Sequence, residues 1–288
     1  METRWLYRTS GDFNELVEAS GGVCVIPMGC VEKHGLHLPL GTDIIHTSHI
    51  AYEASKLECA CIFPDFTFGD IPAKMKDAPV GSVCITAETQ MILLEELCES
   101  ISRWGFKKIL VYNGHGGNNP WLATFKRNLG NKNVDYILAT FMIDEPVPHK
   151  MAEIILKNGS GSIPELTKED EELLIKYHQQ NFKVGHACIS ETAYIMGISP
   201  EAVHLDKLGI ESGKSTEKSK YFSDAGISLA SGGYNLDYPN SYAGDDPYGC
   251  NERIGKAAIR LEAQRLAIGI KVFKEDKYSL LKIPQKKY

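Results

Sequence analysis

Val23 to Met28, reading VCVIPM, is an apolar run as long as one buried strand, and it empties into a loop carrying Glu32, His34, His37 and Asp43. Such a stretch constrains the fold, because the strand must be interior while its end must hold ionisable groups at an edge. Ile109 to Tyr112 repeat the arrangement, stopping at the glycine-rich NGHGGNN, Asn113 to Asn119, with His115 at its centre. Two strands thus deliver imidazole at their C-terminal ends, and in an open α/β sheet that edge is where ligands bind. The recurring order of strand, loop, helix and strand argues for a parallel sheet with right-handed crossovers.

Glu32 and His34 are two residues apart, so in an extended segment both project from one side of the backbone. Asp43 follows the Pro39 and Gly41 bend, and its two oxygens can bind one cation each. Mixed oxygen and nitrogen donors suit zinc, manganese or ferrous iron rather than calcium or a thiolate-loving metal. His37 reads as a partner behind the ligands or as a substrate contact. Taken alone, the Glu-x-His spacing also describes a solvated polar loop; the second cluster argues against that. Gly114, Gly116 and Gly117 permit close backbone approach. No Lys-Ser/Thr follows them and the spacing is not GxGxxG, so nucleotide binding is discounted.

Between the motifs, Phe13 to Ala19 reads as a short helix ending at Gly21, and a second helix leaves from Asp43 with Ile50, Ala54 and Leu57 at helical spacing. His46 and His49 read as exposed first-turn histidines. Cys61 to Phe63 form a strand, and residues 64–85, with Pro64, Gly69, Pro72, Pro79 and Gly81, form a loop long enough to be functional. Thr86 caps a helix whose apolar face is Ile92, Leu93, Leu97 and Ile101, stopped by Gly105. Asn119 and Pro120 open a helix to Gly130, and Tyr136 to Phe141 follow as a strand. Residues 144–164, rich in Pro and Gly, read as a lid or an oligomer contact. Thr167 and Asp170 form a capping box, and Asn251 caps a terminal helix with Ile254, Ala258 and Leu261 on one face. Tyr234, Tyr238, Tyr242 and Tyr248, set among glycines, line a pocket or an interface. The eight cysteines read as small buried hydrophobes with reduced thiols.

The combination ExHGxHLPLxTD (Glu32 to Asp43), NGHGGN (Asn113 to Asn118) and HAxxxET (His186 to Thr192) resembles the creatininase family, the metal-dependent creatinine amidohydrolases and their relatives. The resemblance implies an α/β fold with three α/β/α layers around a mainly parallel sheet. It implies one domain over residues 1–288, with core motifs in 20–200 and a closing segment around Gly244-Asp245-Asp246-Pro247. It also implies hydrolysis at two divalent ions (zinc, manganese or iron) and a homo-oligomer, often a hexamer. In that scheme Glu32 and His115 hold one ion, His34 and Glu191 the other, and Asp43 bridges. His186 protonates the leaving nitrogen, and His37, Ser82, Gly116 and Gly117 lie at the substrate. Creatininases proper carry an aromatic residue and a glutamate directly after the metal-binding histidine, where this chain has Gly116 and Gly117. Glu191 is then expected to supply the missing carboxylate. HACI replaces the common HAGE. These departures mark a divergent member, with a small cyclic or formylated amide as the expected substrate rather than creatinine. The rival readings are hydrolytic opening of a carbocyclic diketone at the same site, a non-catalytic binding protein, and a thiol hydrolase using Cys188.

A net charge of −6 with scattered charges offers no basic face to nucleic acid or an anionic membrane, so a small molecule is the expected partner. The first residues lack the apolar core of a signal peptide, and no run is long enough to span a bilayer, which together lead to a cytoplasmic expectation.

Overall fold

The structure is a computed structural model and describes residues 1–71, 78–142, 147–180, 183, 185–229 and 233–280. Four strands, β1 (Val23–Met28), β2 (Cys61–Ile62), β3 (Lys108–Asn113) and β4 (Ile137–Met142), form one sheet in the order β2-β1-β3-β4, with every pairing parallel. Before, between and after them run α1 (Phe13–Ala19), α2 (Thr42–Leu57), α3 (Ala87–Arg103), α4 (Asn119–Leu129), α5 (Val147–Asn158), α6 (Lys168–Gln179) and α7 (Ile189–Ile198). Two single-turn helices, α8 (Lys220–Ser223) and α9 (Tyr234–Asp237), and the long α10 (Glu252–Glu275) complete the chain.

Side chains alternate across a strand, and the two faces build separate cores. Val23, Val25, Leu110 and Tyr112 pack with α2, α5, α6, α7 and α10. Cys24, Ile26, Met28, Ile109 and Val111 pack with α1, α3 and α4. The result is the expected three-layer α/β/α arrangement, and the strands read as continuous apolar runs because both faces are covered. Cys24 pairs with Ile109 and Met28 with Asn113, so β1 and β3 end level with each other. The chain leaves β1 toward β2 on one side and returns as β3 on the other, which makes the gap between their C-terminal ends the switch point where such sheets bind ligands.

Several expectations need correction. The segment read as a lid contains α5: Pro148 falls in the first turn, where its missing N–H is harmless, and Met151, Ala152 and Ile155 are buried. Residues 144–146 of that segment lie outside the described residues, as do Pro72, Phe182 and the basic tail from 281 onward. On α3 the buried residues are Leu94, Cys98 and Ile101, while Ile92 is exposed, as is Leu57 on α2. The α4 cap falls one residue earlier than expected, at Asn118. His46 is buried and stacked on Tyr194, with ring centroids 4.9 Å apart. Its helix presents that face to α7 rather than to solvent, which no local spacing could reveal. The capping box of Thr167 with Asp170 and the Asn251 cap stand as predicted. Among the described residues no helix is long and apolar enough to cross a membrane.

The α7–α10 crossing sets the depth of the interior. A Cβ added to Gly255 would lie 2.3 Å from the Ala193 carbonyl oxygen and 2.4 Å from the Gly197 nitrogen, so only glycine permits this approach. Two turns further along α10, Glu262 is 2% exposed, with Oε1 lacking a hydrogen-bond partner and Oε2 3.9 Å from Arg265. Burial raises its pKa from 4.5 to about 7. Because the folded value lies above the unfolded one, this contribution is fully present below about pH 4.5 and is lost as pH rises through 7. Glu262→Gln, neutral throughout, is therefore expected to gain on the wild type by about two orders of magnitude in the unfolding equilibrium, about 3 kcal/mol, between pH 4 and pH 8. Denaturant unfolding at a series of pH values checks this; parallel curves would refute it.

Candidate metal centre

The loop after β1 is fixed at many points before any side chain is considered. The Glu32 amide donates to the Leu40 carbonyl at 2.9 Å, that of Lys33 to Ser82 Oγ at 3.1 Å, and that of Gly35 to the Ser241 carbonyl at 3.1 Å. The Gly114 amide donates to the Met28 carbonyl at 2.9 Å, joining the two strand ends. Asn113 accepts from the His115 amide and the Asn118 side chain and donates to the His115 carbonyl, so the glycine loop is closed on itself.

On this frame Glu32, His34, Asp43, His115, His186 and Glu191 converge. Asp43 divides its oxygens: Oδ1 stands 3.0 Å from His34 Nε2 and Oδ2 stands 3.0 Å from His115 Nδ1. His115 Nδ1 is also 2.8 Å from Glu32 Oε1, and His34 Nε2 is 3.7 Å from Glu191 Oε2. Each imidazole turns its other nitrogen to a main-chain carbonyl. His34 Nδ1 donates to Glu32 at 3.1 Å, His115 Nε2 to Asp70 at 2.8 Å and His186 Nε2 to Lys33 at 2.7 Å. Such bonds fix ring orientation and aim the other nitrogen inward, where it could ligate a metal once its proton is displaced.

Electrostatics give an independent test of fit. Burial disfavours charge on every member; at Asp43, Glu32, His34 and His115 the contacts override it, whereas burial raises Glu191 to about 7 and lowers His186 to about 4. Asp43 is held well below the usual carboxylate range by His34 and His115, and Glu32 is lowered by His186 and His115. His34 is raised to about 10, its burial outweighed by Asp43 and Glu191, and Glu32 and Asp43 likewise raise His115. Protons on the imidazoles therefore balance the carboxylates where cations would. Glu32 Oε1 and Asp43 Oδ2 are nonetheless buried without a hydrogen-bond partner. Oxygen and nitrogen donors that converge, orphaned carboxylate oxygens and oriented imidazoles fit divalent ions of the zinc or manganese type. The ligand-type groups fall into overlapping sets: Glu32, His115 and Cys30; Glu32, His34 and His186; and His34, Asp43 and Glu191.

The remaining predicted residues sit around this cluster. His37 is buried, with Nε2 3.0 Å from the Ala187 carbonyl and 3.3 Å from Thr192 Oγ1, so it braces the turn that delivers Glu191. Ala187 takes a φ of +59°, which side chains rarely adopt, and its amide donates to Glu191. Ser82 holds the Lys33 amide. Gly116 is exposed, and a Cβ there would meet nothing, which leaves the mouth open where creatininases carry an aromatic. A Cβ at Gly117 would lie 2.1 Å from the Asp70 carbonyl oxygen and 2.4 Å from His115 Nε2, so no side chain is possible where the glutamate was missed. Cys188 donates to the Gly185 carbonyl at 2.9 Å, and burial pushes its pKa to about 12, which removes the thiol-hydrolase reading.

Residues that sequence reasoning left without a role at the centre are Asp70, Asn113 and Asn118; in the sequence, Cys30 reads only as a buried hydrophobe and Tyr234 as lining a pocket or an interface. The two asparagines at the ends of NGHGGN were a usable signal, since a glycine loop needs side-chain partners for its backbone. Asp70 acts through its carbonyl, which carries no sequence signature. Tyr234 reaches the site from α9 and is kept protonated by burial and by the charges of Glu32 and Glu191.

Comparison with known proteins agrees with the motifs. The family model for creatininase, creatinine amidohydrolase, matches residues 7–268. A mycofactocin precursor peptide peptidase from Mycolicibacterium smegmatis is 33% identical over 105 residues, which cover 34% of this chain and 41% of that protein. The chain thus spans about two-fifths of that relative's length. A 2-amino-5-formylamino-6-ribosylaminopyrimidin-4(3H)-one 5'-monophosphate deformylase from Methanobrevibacter smithii is 28% identical over 158 residues, covering 54% of this chain and 67% of that protein. A solved manganese creatininase superposes with a TM-score of 0.67 at 14% identity over 94% of this chain and 98% of the other, and a mutant creatininase of Zn-Zn type matches with the same figures.

Gly117→Ala tests the frame. It is expected to break the Asp70–His115 hydrogen bond, lower thermal stability and weaken zinc binding by about 10–100-fold. Calorimetric titration of the metal-free variant reads this, and unchanged affinity would count against the arrangement.

Proposed function

The chain belongs to the creatininase family, and from that premise we propose that it is a metal-dependent amidohydrolase acting on a small cyclic or formylated amide. The observation that carries the reading is Asp43, whose two oxygens each face a different imidazole 3.0 Å away. Glu32 and His115 would hold one ion, His34 and Glu191 the other, and Asp43 would contribute an oxygen to each. Bound there, zinc or manganese would polarise a carbonyl and lower the pKa of an attacking water.

The chain's own residues do the rest. His186 faces the cluster through Nδ1, 3.7 Å from Glu32 Oε1, and its ring lies 4.1 Å from that of His34. Its Nε2 proton is committed to the Lys33 carbonyl, so Nδ1 carries the lone pair. Burial first, then the charge of His34, lowers its pKa to about 4, so the ring is neutral before reaction. Nδ1 is placed to take a proton from the attacking water and hand it to the departing nitrogen, the step an amide most needs because the amine leaves poorly.

Support for a small acyl group comes from burial. Glu32, His34, Asp43 and His115 are all nearly inaccessible, while the neighbouring Gly116 is exposed. A formyl group or a carbonyl in a small ring reaches such a centre, as the deformylase relative illustrates by its name.

Protein purified without added metal is expected to carry about two ions per chain, falling in both His34→Ala and Asp43→Ala. His186→Ala is expected to keep the metal and lose about 10²–10⁴-fold in kcat on formamides or cyclic amides. Full metal content with no turnover on either class would instead indicate a binding protein.

A further inference from the structure

We infer that Cys30 is a donor to the ion held by Glu32 and His115, giving that half of the centre a sulfur ligand and making its two halves chemically unequal. The inference rests on the dinuclear reading and adds a residue to it.

Cys30 follows Gly29 at the end of β1 and is buried. Its Sγ, a Glu32 carboxylate oxygen and a His115 ring nitrogen all lie within 4.8 Å of one another. Metal bonds of about 2.0–2.3 Å put tetrahedral ligand atoms about 3.5 Å apart, so small side-chain rotations close this set. The thiol is walled in from behind: a Cβ at Gly69 would stand 2.6 Å from Cys30 Cβ and 2.7 Å from Sγ.

A second observation points to the same place. Glu32 Oε1 and Asp43 Oδ2, the two orphaned oxygens of the cluster, are the atoms 2.8 Å and 3.0 Å from His115 Nδ1. They mark the position of a cation on the Cys30 side of the centre.

Glu32, His115 and Cys30 form one set, with sulfur; His34, Asp43 and Glu191 form the other, with oxygen and nitrogen alone. A thiolate favours zinc or cobalt over manganese, so the first half selects zinc while the second accepts either. Coordination displaces the thiol proton to solvent.

Stepwise cobalt(II) loading of the metal-free protein, followed by absorption spectroscopy, tests this without any substrate. The wild type is expected to show an intense near-ultraviolet sulfur-to-cobalt charge-transfer band. Cys30→Ser should lose that band and keep the visible ligand-field bands, and its preference for zinc over manganese should fall by about tenfold or more. His34→Ala, which removes a donor to the other ion, should retain the band, as should Cys98→Ser. Two bound cobalt ions without the band, or a band that survives Cys30→Ser, would overturn the sulfur ligand and leave the dinuclear reading standing. No cobalt uptake at all would overturn both. The wild-type spectrum decides the donor class even where a variant does not fold.

Discussion

Asp43 is a carboxylate 1% exposed in the first turn of a helix, and the rest of the site is arranged around the need to pair its charge. A buried carboxylate is tolerable only when hydrogen-bonded or matched by positive charge. Two imidazoles, from the loops after β1 and β3, supply that, one to each oxygen. This requires α2 to begin very close to the end of β1, and Gly29 permits it: a Cβ there would lie 2.7 Å from the Asp43 carbonyl carbon and 2.6 Å from the Ile44 nitrogen. The level ends of β1 and β3 then bring His115 to the second oxygen.

Around this charge, one device recurs. His34, His37, His115 and His186 each direct a ring nitrogen to a main-chain carbonyl, of Glu32, Ala187, Asp70 and Lys33 respectively. Main-chain anchors are stiffer than side-chain ones, and they come from three separate segments that the fold must bring together. The site is therefore a reporter of tertiary structure. Loosening the segment near Asp70 frees His115, and loosening the left-handed turn at Ala187 frees both His37 and Glu191.

The absence of a side chain at Gly117 acquires a physical meaning here. The space that a carboxylate would need is filled by the Asp70 carbonyl, which trades a potential metal donor for a rigid His115. A centre arranged in this way must draw its donors from elsewhere, and both Glu191 on α7 and Cys30 after β1 stand within its reach.

Strand β1, the two loops and the ionisable residues on them were legible in the sequence, because apolar runs and turn residues act locally and a strand reads the same wherever it is placed. The three-layer fold followed from family resemblance and from the repeating order of strand and helix. What the sequence could not show was distance. His46 reads locally as an exposed first-turn histidine and is buried because α7 covers it. Residues 144–164 read as a loop because Pro and Gly are counted without regard to the apolar face that α5 presents. Cys30 reads as one more small buried hydrophobe. Only packing places its sulfur beside Glu32 and His115, because whether a buried thiol is filler or a ligand depends on which groups from distant segments share its space.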